Sequence, residues 1–430
     1  MNRKTAIIII IAVILVGAAV LLWIFFPSSI KIPFLGGNSD SGGPKDLFPF
    51  GDGNTNTRQG DTTGNNQTGT TTPLSDNAPI PVLREISQVP IGGATVVHDS
   101  ENEITYIRFL ERSTGHIFET TTDKNNAVRI TNTTIPRVQN VAWNRSGNAA
   151  ILQYEGDTYE GADPNSIISF YGVVVGTGSS TDKISTPPAE TSFDGIFLPG
   201  NITNIATSPD KKHVFTLETD ESGVIGFVSN FDGSGKKEVF SSPLTEWQVE
   251  WPQEKTLTLV SNASTKVAGF VYSIDVSSGK MTGLLSQKKG LVALVNPTAT
   301  AVLYSEQVRG RGTVLHVYTI ATNDDIELPI ATFAEKCAWG TVNKDMVYCG
   351  VPKTLISVNE PDEWYQGITS YSDGIWSINS TTGAVDLIID LEAVAGKGID
   401  VSSPFLDEKE GYLFFTNKND LHLWSLKIGI

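Results

Sequence analysis

The feature that most constrains this chain is a repeated set of strand positions. The ends of successive short strands place Val97, Trp143, Thr207, Trp251, Val295, Trp339 and Phe405 in one column, at spacings of 46, 64, 44, 44, 44 and 66. Two residues earlier, on the same strand face, stand Thr95, Val141, Ile205, Val249, Ala293, Cys337 and Ser403. Eight residues later, Ile151, Phe215, Leu259, Leu303, Val347 and Leu413 open a second strand; only the first unit breaks the column, with Thr105 and Tyr106. Third strands close on Tyr272-Ser273-Ile274, Tyr318-Thr319-Ile320, Trp376-Ser377-Ile378 and Trp424-Ser425-Leu426, and turns such as SSGK, TNDD and TTGA lead into a fourth. Strands this short and alternating are half-buried. One unit cannot cover its own apolar faces, so the units must stack.

A period near 44 residues with four strands per unit is that of a β-propeller blade. Seven columns predict an all-β, seven-bladed β-propeller over residues 83–430. The last unit stops at Ile428 after three strands, and the first is preceded by a spare strand around Leu83 to Val89. The spare strand is therefore expected to complete the last blade and hide its open edge. Forty Gly, 21 Pro and only three Met fit a β-rich chain with many turns.

Ahead of the repeat, Ala6 to Phe26 is an unbroken apolar run. As a helix it spans about 31 Å, the thickness of a bilayer core. It exceeds the 7–15 residues of a signal-peptide core, and no clear small-x-small cleavage site follows, so an uncleaved transmembrane helix is expected at 6–26. Arg3 and Lys4 precede it, which keeps residues 1–5 in the cytoplasm and sends the rest outside. Residues 27–82 turn to Gly, Asn, Thr, Ser and Asp without hydrophobic periodicity, the pattern of a disordered linker. The expected location is the plasma membrane, single-pass, with the propeller outside.

The segments TSPDKKHVFTL (Thr207 to Leu217) and AWNRSGNAAIL (Ala142 to Leu152) resemble the strand–turn–strand core of the WD40-like and TolB-type propeller group. The GH and WD dipeptides of true WD40 repeats are missing where they should stand. The anchor, the tether, CGVP, and PDEWYQG with SDGIWSIN are also similar to uncharacterised membrane-anchored propeller proteins of candidate bacterial lineages. The resemblance implies the architecture and no activity.

Net charge is −16, which disfavours nucleic acid as a partner. Two cysteines exclude a disulfide scaffold and a Cys-based zinc cluster. Cys337 and Cys349 should face each other across a hairpin, either as a cross-strand disulfide or as two buried thiols. His116, His316 and His422 each fall two residues before the third-strand aromatic of a different blade, so the ring holds them apart and no metal site is expected. His98 and His213 have no acidic or Cys partner at ligand spacing. No G-x-S-x-G, H-E-x-x-H or Walker motif is present, so no catalytic residue and no cofactor is assigned. The stretch Ser370 to Trp376 superficially resembles the Asp-box of sialidase-like propellers, but its spacing differs and it enters a strand rather than leaving one.

Two loops between second and third strands are long: Glu155 to Pro164 in blade 2, and Pro352 to Asp373 in blade 6. Such loops share one face of a propeller. The candidate binding residues are Tyr159, Arg309, Arg311, Asp362, Glu363, Trp364 and Tyr365, with exposed aromatics as anchors. Alternatively, Trp364 and Tyr365 fold back and pack the loop. The expected function is a protein- or envelope-binding scaffold, with a membrane-anchored extracytoplasmic hydrolase or lyase of glycans or peptides as the alternative.

Overall fold

The computed structural model describes residues 78–156, 167–176, 191–355 and 357–429. The expected helix at 6–26, nearly all of the expected linker, and Tyr159 lie outside these residues. Among the described residues no helix is long and apolar enough to cross a membrane.

The described chain forms seven antiparallel sheets of four strands each, arranged as a seven-bladed propeller. In six blades the strands run in sequence order from the centre outward, as in blade 6: Cys337–Trp339, Met346–Pro352, Asp373–Asn379 and Val385–Asp390. Blade 7 takes Val401–Leu406, Tyr412–Asn417 and Leu423–Lys427 from the C-terminal end, and its outer strand is Leu83–Glu85. Leu83 pairs with Leu426 and Glu85 with Trp424. The closing strand is shorter than expected, because Ile86 and Ser87 already turn inward, both backbone N–H groups donating to the Leu423 carbonyl. Arg84 then reaches into blade 1, its buried guanidinium donating to the carbonyls of Thr121 and Lys124.

The apolar columns are the core. Ile151, Phe215, Leu259, Leu303, Val347 and Leu413 are all fully buried. Blade 1 departs from the column because its first hairpin is longer: Val96 pairs with Ile107, whereas Ala142 pairs with Ile151. Ile107 therefore takes the buried position expected near Thr105. Each of the seven blade-to-blade interfaces holds its own apolar cluster, including the closing one, where Phe414 and Leu423 of blade 7 meet Ile107 and Phe109 of blade 1. Cys337 and Cys349 are register partners and form a disulfide beside Trp339, whose indole N–H donates to Leu294 O of blade 5 at 3.1 Å. The bridge closes a short local hairpin, so it contributes at most about 3 kcal/mol.

Closure through the N-terminal strand is testable. Leu83 is 7% exposed between blades 6 and 7. Leu83→Asp buries an unpaired carboxylate and should cost more than about 3 kcal/mol in denaturant unfolding. It should also free the Leu423–Lys427 edge and give self-association by size-exclusion chromatography.

Candidate functional site

The long loop of blade 6 is held by a buried ionic node. Lys336 is the residue immediately before the innermost strand of blade 6, and Asp400 the residue immediately before that of blade 7. Asp373 opens the third strand of blade 6. All three are fully buried, with the Lys336 ammonium 2.7 Å from Asp400 and 2.8 Å from Asp373. Asp400 also accepts from the Trp364 indole N–H at 2.9 Å and from the Tyr371 backbone N–H at 3.0 Å. Asp373 accepts from Val401 N–H at 2.7 Å. Burial raises the Asp373 carboxyl to about 6, against the opposing pull of Lys336. Glu360, also fully buried, accepts from Thr369 Oγ1 at 2.7 Å and from the Tyr371 hydroxyl. A buried charge set of this kind is costly to break, because a lone partner is left desolvated.

Trp364 belongs to this node rather than to the surface. It is 3% exposed and packs on Phe333 at 5.3 Å between ring centroids, so the expectation of an exposed Trp364 anchor is corrected. The loop's charged residues are also engaged in holding it. Asp362 accepts from Thr265 N–H of blade 4 at 2.7 Å, and Glu363 from Asn359 Nδ2 at 2.8 Å and from Ser357. Gln307 of blade 5 donates to the carbonyls of Val358 and Glu360 at 3.1 and 3.2 Å. On the same face of blade 5, Arg309 is exposed and Arg311 makes a two-pronged pair with Glu327.

Tyr365 splits its roles. Its hydroxyl bonds Glu335 and Gln248, and burial pushes its proton affinity well above the usual range. The residue as a whole remains 37% exposed. Below it lies a carboxyl pair. Burial raises Glu335 to about 7 and Glu250, on the innermost strand of blade 4, to about 8; each keeps part of its surface accessible. Glu335 adds to the Glu250 shift by like-charge repulsion, and Oε1 of Glu335 has no hydrogen-bond partner. At neutral pH this pair can hold and release a proton.

The central channel is a cavity of ≈ 530 Å³ lined by innermost strands of all seven blades, among them Ala94, Val141, Ile205, Leu294, Ala338 and Phe405. On the face opposite the blade 6 loop, a second cavity of ≈ 700 Å³ opens between hairpin turns of blades 1, 2, 3 and 7, and Lys211 lines both. The sequence reading missed the Lys336 node and this cavity. The node's only local signal was a charge abutting an apolar innermost strand.

His116, His316 and His422 stand on separate blades. His316 stacks on Tyr304 at 4.8 Å. His422 lies with Glu85 and Asp420, but the Lys397 ammonium already bridges those carboxylates at 2.9 and 3.1 Å, in the place a cation would take.

Among solved structures, the chain is similar to TolB from Acinetobacter baumannii, with 9% identity and a TM-score of 0.39, over 78% of this chain and 63% of that one. It is also similar to oligogalacturonate lyase from Vibrio parahaemolyticus, with 6% identity and a TM-score of 0.47, over 79% of this chain and 97% of that one. A third is a puromycin-hydrolyzing peptidase from Mycobacterium tuberculosis, with 14% identity and a TM-score of 0.48, over 76% of this chain and 52% of that one. The chain thus spans less than two thirds of the TolB and peptidase chains. No protein-family model matches it, and the comparison with curated proteins finds no match. These likenesses say nothing of activity.

Two outcomes follow from this geometry. Trp364→Ala should cost about 3–5 kcal/mol in denaturant unfolding, through lost packing and the loss of one hydrogen bond to the buried Asp400. The carboxyl pair takes up protons on folding, its values standing above the ordinary 4.5. Its stabilisation is complete below that value and is lost as pH rises through about 7 and 8. The fold should therefore lose on the order of 1–3 kcal/mol between weakly acidic and alkaline pH, and Glu250→Gln should flatten that slope.

Proposed function

We propose that the protein is a binding scaffold, tethered to the plasma membrane by residues 6–26, that holds a protein of the cell envelope on the face carrying the blade 4 and blade 6 loops. One observation carries the reading: large apolar side chains stand exposed there on loops that are internally locked. Val267 is 68% exposed, Val358 77%, Ile368 67% and Tyr365 37%. The bond from Thr265 N–H to Asp362 joins the two loops that bear them, and the Lys336 node fixes the blade 6 loop from beneath. Exposed apolar groups on a preordered surface gain area on binding with little ordering cost. Arg309, exposed on the second-to-third-strand turn of blade 5, supplies a charged contact. The Cys337–Cys349 disulfide supports a location outside the reducing cytoplasm.

The hydrolase or lyase reading has one observation in its favour, the Glu250–Glu335 pair with proton affinities near neutrality. The scaffold reading rests on more of the loop geometry and is the stronger.

Capture of envelope proteins from solubilised membranes tests the proposal. Val358→Asp with Ile368→Asp should reduce recovery of a specific partner by about tenfold or more, with the melting temperature unchanged because both side chains are solvent-facing. An unchanged partner set with these variants would sink it.

A further inference from the structure

The cavity of ≈ 700 Å³ on the opposite face gathers cationic side chains. The whole chain carries a net charge of −16, yet this cavity gathers Arg145, Lys211 and Lys212 against Glu408 and Asp232. The ion pairs of Arg145 and Lys212 are loose. Arg145 lies 3.6 Å from Glu408 with both side chains more than half exposed, an arrangement worth little in water. Lys212 lies 3.8 Å from Asp210, again at the surface.

Lys211 differs from both. Its side chain is half-buried, and its ammonium donates to the neutral Thr95 hydroxyl at 3.0 Å. Among the described residues no carboxylate forms an ion pair with it. Desolvation lowers its proton affinity, and Glu408 only partly offsets this at longer range. Arg145 N–H donates to the Lys211 carbonyl at 3.0 Å, which locks the first hairpins of blades 2 and 3 together, and both side chains line the cavity. Phe231, 6% exposed, and Tyr171 form an apolar wall behind them.

A half-buried ammonium with a neutral partner is stabilised by an incoming anion more than by water. The volume is that of a small-molecule site. A long polyanion must also meet the rest of a chain whose net charge is −16, whereas a small anion meets only the cavity lining. We propose that this cavity is a binding site for a small anion bearing a phosphate or carboxylate group on a compact body, held by Lys211 and Arg145.

Calorimetric titration of the full chain in detergent micelles tests this at low ionic strength. The probes are inorganic phosphate, glucose 6-phosphate, glucuronate and neutral glucose. A phosphorylated or carboxylated probe should bind while glucose does not, and added salt should weaken binding. Preference for glucose 6-phosphate identifies phosphate as the recognised group, and preference for glucuronate identifies carboxylate. Lys211→Met should weaken binding about tenfold or more, and Arg145→Gln by several fold. Arg145 is exposed, so Arg145→Gln keeps the test decisive if Lys211→Met fails to fold. The proposal fails if no anionic probe binds at about 10 mM, if glucose binds as well as the anions, or if Arg145→Gln binds like the parent protein.

Discussion

Both faces of each blade are too apolar to meet water, and the fold depends on how those faces are covered. Each face is covered by the next blade, so no blade is complete until its neighbours are in place. A chain with two ends must therefore be clasped somewhere. Here the clasp is the pairing of Leu83–Glu85 with Leu423–Lys427, extended sideways by Arg84 into the turn of blade 1. The clasp finishes blade 7, and Arg84 carries its hold into the closing interface, which the Ile107–Phe414 cluster fills.

The Lys336 node does for one loop what the ring does for the blades. A loop this polar would ordinarily stay mobile, since it buries too little apolar surface to offset its ordering entropy. One ammonium shared by Asp373 and Asp400, with Trp364 and Tyr371 stacked around it, makes the loop an extension of the core. Such nodes are weak sources of net stability and strong sources of specificity of arrangement. The node leaves the apolar tips of the loop displayed, while Glu360 is buried beneath them and Asp362 bonds the blade 4 loop.

The architecture was legible because buried columns impose a spacing that survives divergence of individual residues. Even the irregular blade 1 was visible as a break near Thr105, explained by a longer hairpin. The loop was legible as an insertion but not as a packed one. Trp364 sits in a stretch of polar residues, and its partners Phe333 and Asp400 are remote in sequence, so local composition points outward while the fold points inward. Lys336 and Asp400 each look like an ordinary strand-end charge until the ring sets adjacent blades side by side. The Lys211 cavity was illegible for the same reason: four separate hairpin turns build it.

The N-terminal clasp also orders events in time. Leu83–Glu85 is among the first propeller strands to be synthesised, and its partner Leu423–Lys427 is the last. Until Leu423–Lys427 emerges this strand has no partner, and the earliest blades must wait with one side uncovered. Completion of the ring is thus a single late step that couples opposite ends of the chain, and a ribosome that stalls before Leu423 releases an open arc with bare edges at both ends.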